Sequence, residues 1–128
     1  MATSSFVDLR MWQQAHRFVL EMYHLTANYP KHELFGLVSQ FRRASISIPA
    51  NIAEGYKRLS KTEKLRFFNI AQASLEECKY YIILSKDLKY TDNVNSEKLN
   101  QLLEETSKSL NNYCEKLHTD KNEKLMQA

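Results

Sequence analysis

Apolar residues recur at three- and four-residue steps along almost the whole chain, the pattern of amphipathic helices rather than of strands. Four such stretches follow one another. In the first, about 8–28, Leu9, Trp12, Val19, Met22 and Tyr23 share one side, while Arg10, Gln14, Arg17 and Glu21 take the other. Asp8 stands where an N-cap belongs, and Pro30 pushes Tyr29 out of the α region and ends the helix. The second stretch, 34–58, carries Leu34, Leu37, Val38, Phe41, Ser45, Ile48 and Ile52 in one stripe. Pro49 lies inside it, and because the stripe keeps its phase across the proline, the spacing predicts one kinked helix rather than two.

The third stretch, 61–89, opens with Ser60-Lys61-Thr62-Glu63, a capping box. Its apolar positions Phe67, Phe68, Ile70, Ala71, Ser74, Leu75, Cys78, Tyr81, Ile82 and Leu88 spread over an arc of roughly 160°, wider than the ~100° stripe of an ordinary surface helix. That is more apolar surface than three neighbours in a monomeric bundle would cover. The fourth, 96–117, follows Thr91-Asp92-Asn93 with Asn95 or Ser96 as cap, and aligns Leu99, Leu102, Leu103, Thr106, Leu110, Tyr113 and Leu117. From about Thr119 to Ala128 the periodicity is lost, which predicts a frayed tail.

Four long helices with short links predict an all-α, antiparallel up-down-up-down four-helix bundle over 1–118, with 119–128 as the tail. A chain of 128 residues is long enough for one buried core, and only two glycines and two prolines leave little turn chemistry for an all-β fold. The start of the chain lacks the basic and apolar regions of a signal peptide, and no apolar run reaches the ~18 residues of a membrane span, so a cytoplasmic, non-membrane protein is expected. Cys78 and Cys114 fall among apolar neighbours in different helices and read as small buried hydrophobes in a reducing compartment.

Net charge is only +3, but between Arg42 and Arg66 seven basic residues face two acidic ones, a local +5 that leaves −2 for the rest. Two readings compete: a solvated helix face, or a phosphate-binding patch built from Arg10, Arg17, Arg43, Lys57, Arg58, Lys61 and Lys64. No recognition helix or RNA-binding signature accompanies it, so any binding to RNA or DNA would read charge and shape rather than sequence.

Catalytic chemistry finds little support. Glu21-Met-Tyr-His24 and Glu115-Lys-Leu-His118 match the Glu-x-x-His spacing of di-iron bundles, yet both pairs project away from their helices' apolar stripes. His16 sits at a stripe edge with no serine or cysteine nucleophile to activate, and reads as a partly buried imidazole with one hydrogen-bond partner. There is no glycine-rich phosphate loop and no H-E-x-x-H. No catalytic residue, metal, cofactor or small-molecule substrate is expected.

Several segments together resemble a family. Asp8-Leu9-x-x-Trp12-x-x-Ala15 opens it, followed by Phe35-Gly36-Leu37-x-x-Gln40-x-Arg42-Arg43-Ala44, Ser47-Ile48-Pro49-x-Asn51-Ile52-Ala53-Glu54-Gly55, Arg58-x-Ser60 and Ser74-Leu75-x-Glu77. Over roughly residues 6–117 the chain resembles the bacterial four-helix bundle proteins named after intervening sequences in 23S ribosomal RNA genes. The resemblance implies a homopentamer without known catalysis, similar in fold to the basic, nucleic-acid-binding accessory protein of diversity-generating retroelements. A ring would cover the surplus arc of the third helix. Phe67, Ile70 and Tyr81 then become interface candidates, with Ile46 beside them and Arg42 placed to pair with Glu54 or Glu77 across a subunit boundary. The expected partners are further copies of the chain and, on the basic-patch reading, RNA or DNA, the alternative being a structural or protein-docking oligomer whose charges serve solubility.

Overall fold

A computed structural model of the chain describes residues 5–127, with side chains described through Thr119. Among these residues there are four long helices and no strand: α1 (Arg10–Thr26), α2 (Ser39–Lys57), α3 (Lys61–Asp87) and α4 (Asn93–Gln127). Helix α1 packs on α2 and α4, and α3 on the same two. Cross-helix contacts climb one helix as they descend its neighbour. Gln14 meets Ser109 and Glu21 meets Lys98; Ser45 meets Cys78 and Ser47 meets Ser74; Gln72 meets Asn111 and Lys79 meets Glu104. No helix among the described residues is long and apolar enough to cross a membrane.

One core runs the length of the bundle, with Phe18, Phe41, Phe68, Met22, Ile48, Ile52, Leu75, Ile82, Leu103 and Leu110 all fully buried. Three of the buried hydroxyls are satisfied by their own helix. Each donates to the carbonyl one turn back: Thr26 to Met22 at 2.9 Å, Ser45 to Phe41 at 2.7 Å and Thr106 to Leu102 at 2.7 Å. Their small size lets neighbouring helices come close.

The sequence pattern located the helices but misread several edges. The buried face of α1 is Met11, Ala15, Phe18, Met22 and Thr26, so the stripe is turned by about one position from the one read through Trp12, Val19 and Tyr23; Tyr23 is exposed. Asp8 does not cap α1. It belongs to a 3-10 turn, Phe6–Asp8, capped by Ser5, and α1 begins from Leu9 with no side-chain cap. The second helix does not start at Leu34: a 3-10 turn at Lys31–Glu33 leads into a π-turn, Leu34–Val38, in which Gly36 leaves helical geometry and Leu34 faces solvent. Glu33 ties that turn down, accepting from the Leu37 N–H at 3.4 Å and from the Tyr90 hydroxyl at 2.8 Å.

Helix α2 then passes through Pro49 as one element. The capping box of α3 is half made: Ser60 Oγ accepts from the Glu63 N–H at 3.1 Å, but the Glu63 carboxylate pairs with Arg66 at 3.2 Å. Asp92, not Asn95 or Ser96, caps α4, accepting from the Asn95 N–H at 2.8 Å. The last helix continues to Gln127, past the expected end at 117; the side chains of 120–128, where most of the expected frayed tail falls, lie outside the described residues.

Helices α2 and α3 approach closely at Gly55. A Cβ there would stand 2.7 Å from Phe68 Cε1 and 3.0 Å from Phe67 Cβ. Phe68 is fully buried and cannot swing away. Gly55→Ala should therefore force α2 and α3 apart and cost about 1–3 kcal/mol, read as a lower urea midpoint with the helical circular-dichroism spectrum retained. An unchanged midpoint would show that the two helices separate freely at this point.

Candidate nucleic-acid interface and assembly faces

The most distinctive block of the sequence, Ser47 to Gly55, is a packing device. Ile48, Pro49, Ile52 and Gly55 are buried, and the Asn51 amide donates back to the Ser47 carbonyl at 2.7 Å and to its hydroxyl at 2.9 Å. Ser74 donates to that same Ser47 hydroxyl at 2.8 Å, so the block locks α2 onto α3.

The seven candidate phosphate ligands do not form one face. Lys57, Arg58, Lys61 and Lys64 gather where α2 ends and α3 begins, at the same end of the bundle as Arg10 near the start of α1. Arg17 lies elsewhere, in a groove against α4 with Lys98, Gln101, Leu102 and Glu105. Arg43 sits on α2, donating to Gln40 at 3.0 Å and acting electrostatically on Tyr81 of α3.

Within the end cluster the lysines divide by role. Lys64 Nζ donates to the Tyr56 carbonyl at 2.5 Å and to the Gly55 carbonyl at 3.4 Å, which also accepts from the Arg58 N–H at 3.3 Å, so a side chain helps to satisfy the last carbonyls of α2. Burial holds its pKa below the ordinary lysine value. Lys61 turns its ammonium inward, out of contact with solvent. Lys57 and Arg58 stay exposed. The Arg58 guanidinium lies over the Phe67 ring at 4.5 Å, and Arg66, which sequence reading left out of the patch, covers the same ring at 5.5 Å.

The candidate interface residues also separate. Arg42 is engaged within its own chain: its Nε donates to Thr26 at 3.1 Å, and the guanidinium covers Tyr23 at 4.4 Å. Ile46, one turn further along α2, is 45% exposed beside this α1–α2 groove, on the flank that also shows Leu20. Phe67, Ile70, Glu77 and Tyr81 belong to α3. Tyr81 donates to Glu77 at 2.5 Å, and that bond raises the phenol to about 12. Because the folded value lies above the ordinary 10.0, the stabilisation is complete below that pH and is lost as pH climbs through about 12. Glu54 is exposed and lines a mainly apolar groove of about 430 Å³ with Phe6, Ala53, Tyr56 and Lys57.

Sequence reading missed two large members of the outer face of α3, Tyr80 and Ile83, each 56% exposed. At about 100° per residue they fan out from Ile70 across the side of α3 that faces away from the core. Their apolar character was visible in the sequence; that they lie outside the core arc follows once Phe68, Ala71, Leu75, Cys78 and Ile82 define it.

Groups with catalytic potential are dispersed. Glu21 is ion-paired with Lys98 at 3.2 Å, and His24, Glu115 and His118 are exposed. Among the described residues no group of three or more His, Cys, Asp or Glu could hold a metal. His16 is exposed and lies parallel on Trp12 at 4.8 Å, rather than half-buried in the core edge. Burial pushes the Cys78 thiol up to about 12, far from the thiolate a nucleophile needs.

Residues 7–112 match the family model described as 23S rRNA-intervening sequence protein. Among solved structures the chain is similar to a protein of unknown function from the S23 ribosomal protein family of Bacteroides thetaiotaomicron. The two are 23% identical, the match covers 81% of this chain and 97% of that one, and the TM-score is 0.73. At that identity the likeness concerns the fold. Among curated proteins nothing matches.

The division of the lysines is open to measurement. Lys64→Met should remove the ties at the end of α2 and cost about 1 kcal/mol in urea unfolding, whereas Lys57→Met should shift it by less than ~0.5 kcal/mol. Equal effects would remove the distinction between a capping and a solvent-facing lysine.

Proposed function

Since the chain belongs to the 23S rRNA-intervening sequence protein family, we propose that it acts in the cytoplasm without catalysis, as a homo-oligomeric, pentameric scaffold that binds RNA or DNA through its basic end. One observation carries this reading: two helix flanks expose large apolar side chains, Leu20, Tyr23 and Ile46 along α1–α2 and Ile70, Tyr80 and Ile83 on α3, while Lys57 and Arg58 stand exposed at the α2–α3 turn. Two unlike patches on one subunit suit a heterologous contact, in which the α3 flank of one copy covers the α1–α2 flank of the next, and such contacts close into rings.

Rotational symmetry places every copy's α2–α3 turn on the same rim. Lys57 and Arg58 of each copy then stand in a circle, and several weak phosphate contacts act together. No element of this surface resembles a base-reading module, so affinity should follow charge.

Salt dependence tests the reading. A labelled short RNA followed by fluorescence anisotropy should bind at least tenfold more weakly at about 200 mM than at about 50 mM salt, as each counterion released by a phosphate contact gains less entropy against a higher background. Lys57→Glu with Arg58→Glu should remove most of the low-salt binding. An assembled protein that ignores RNA and DNA at both salts would overturn the nucleic-acid part and leave a structural or protein-docking oligomer.

A further inference from the structure

Resting on the nucleic-acid reading above, we infer that the basic end takes a single strand with unpaired bases in preference to a duplex. The observations concern what surrounds the charges. Lys61 and Lys64 are turned inward or tied to the end of α2, and Arg66 shares its charge with Glu63 at 3.2 Å. That leaves Lys57 and Arg58 as the open cations of each turn, few for a surface that would hold a duplex by its phosphates alone, given one charge per ~1.7 Å of helix axis.

The same turn is rich in surface that phosphates cannot use. Leu59 is 100% exposed at its tip. Beside it the Phe67 ring, half-buried, supports the Arg58 guanidinium at 4.5 Å and the Arg66 guanidinium at 5.5 Å. A planar cation held over an aromatic ring at an exposed position is a platform on which a base can stack. An unpaired base can lie on Arg58 and against Leu59, while its flanking phosphates meet Lys57. In a duplex the bases are stacked on one another, and Leu59 would face only charged backbone.

The test is a pair of titrations on the full chain with an unstructured RNA of about 12 nucleotides, free and annealed to its complement, at equal salt. Single-stranded RNA should bind about tenfold tighter than the duplex. Arg58→Lys keeps the charge but loses the flat ion, and Leu59→Ser loses the apolar tip. Each should weaken single-strand binding several-fold and leave duplex binding and the salt slope unchanged, with circular dichroism confirming that both exposed-site variants fold. Equal affinity for the two forms, or variants that lower both equally, would overturn the single-strand preference and leave charge-driven binding standing. Binding of neither form would overturn the nucleic-acid reading itself.

Discussion

The close approach of α2 and α3 sets the rest of the arrangement. Gly55 lets the ring of Phe68 press against the α2 backbone, and Ser45 and Ser47 meet Cys78 and Ser74 above it. Small residues at the crossing are what bring two backbones this near, and a single added methyl group would meet atoms that are fully buried. Helix α2 ends at Lys57, two residues past Gly55, and the chain turns through Arg58, Leu59 and Ser60 before α3 starts. That short turn puts Arg58 over Phe67 and Lys64 within reach of the carbonyls of Gly55 and Tyr56. Packing and surface chemistry at this end therefore share one cause.

The same packing explains why apolar surface is left over. Once Phe68, Ala71, Leu75, Cys78 and Ile82 are turned inward, Ile70, Tyr80 and Ile83 have nowhere to go within one subunit. Placing such side chains in water gains nothing for a lone subunit, whereas burial against another copy recovers part of the transfer free energy. The polar exterior of α4, with Glu104, Glu105, Asn111 and Asn112, leaves that helix as the solvent side.

Much of this was legible in the sequence, and the parts that were not share a reason. The number of helices, the stripes of α2 and α4 and the buried Cys78 follow from periodicity, which reports which side of a helix is apolar. The α1 stripe was misplaced because bulky Trp12 and Tyr23 outweigh small Ala15 in such a reading, although Ala15 is fully buried. The caps at Asp8 and Asn95 failed because the exact starts of helices, one residue later for α1 and three residues earlier for the cap of α4, depend on turn geometry that composition does not specify. Lys64 looked like any surface lysine; its role depends on carbonyls eight and nine residues earlier that only the folded turn brings within reach. The basic segment was legible as a charge excess, but sequence spacing could not show that Arg17 and Arg43 sit on other sides of the bundle.

The central claim is that the two apolar flanks cover one another in a closed ring. Light scattering on a sizing column tests it most directly, because it reads mass without assuming shape. The account predicts a single species of ~75 kDa, five copies of the 15.1 kDa chain. A species with the mass of one chain at micromolar concentration would contradict it, leaving Ile70, Tyr80 and Ile83 exposed to water.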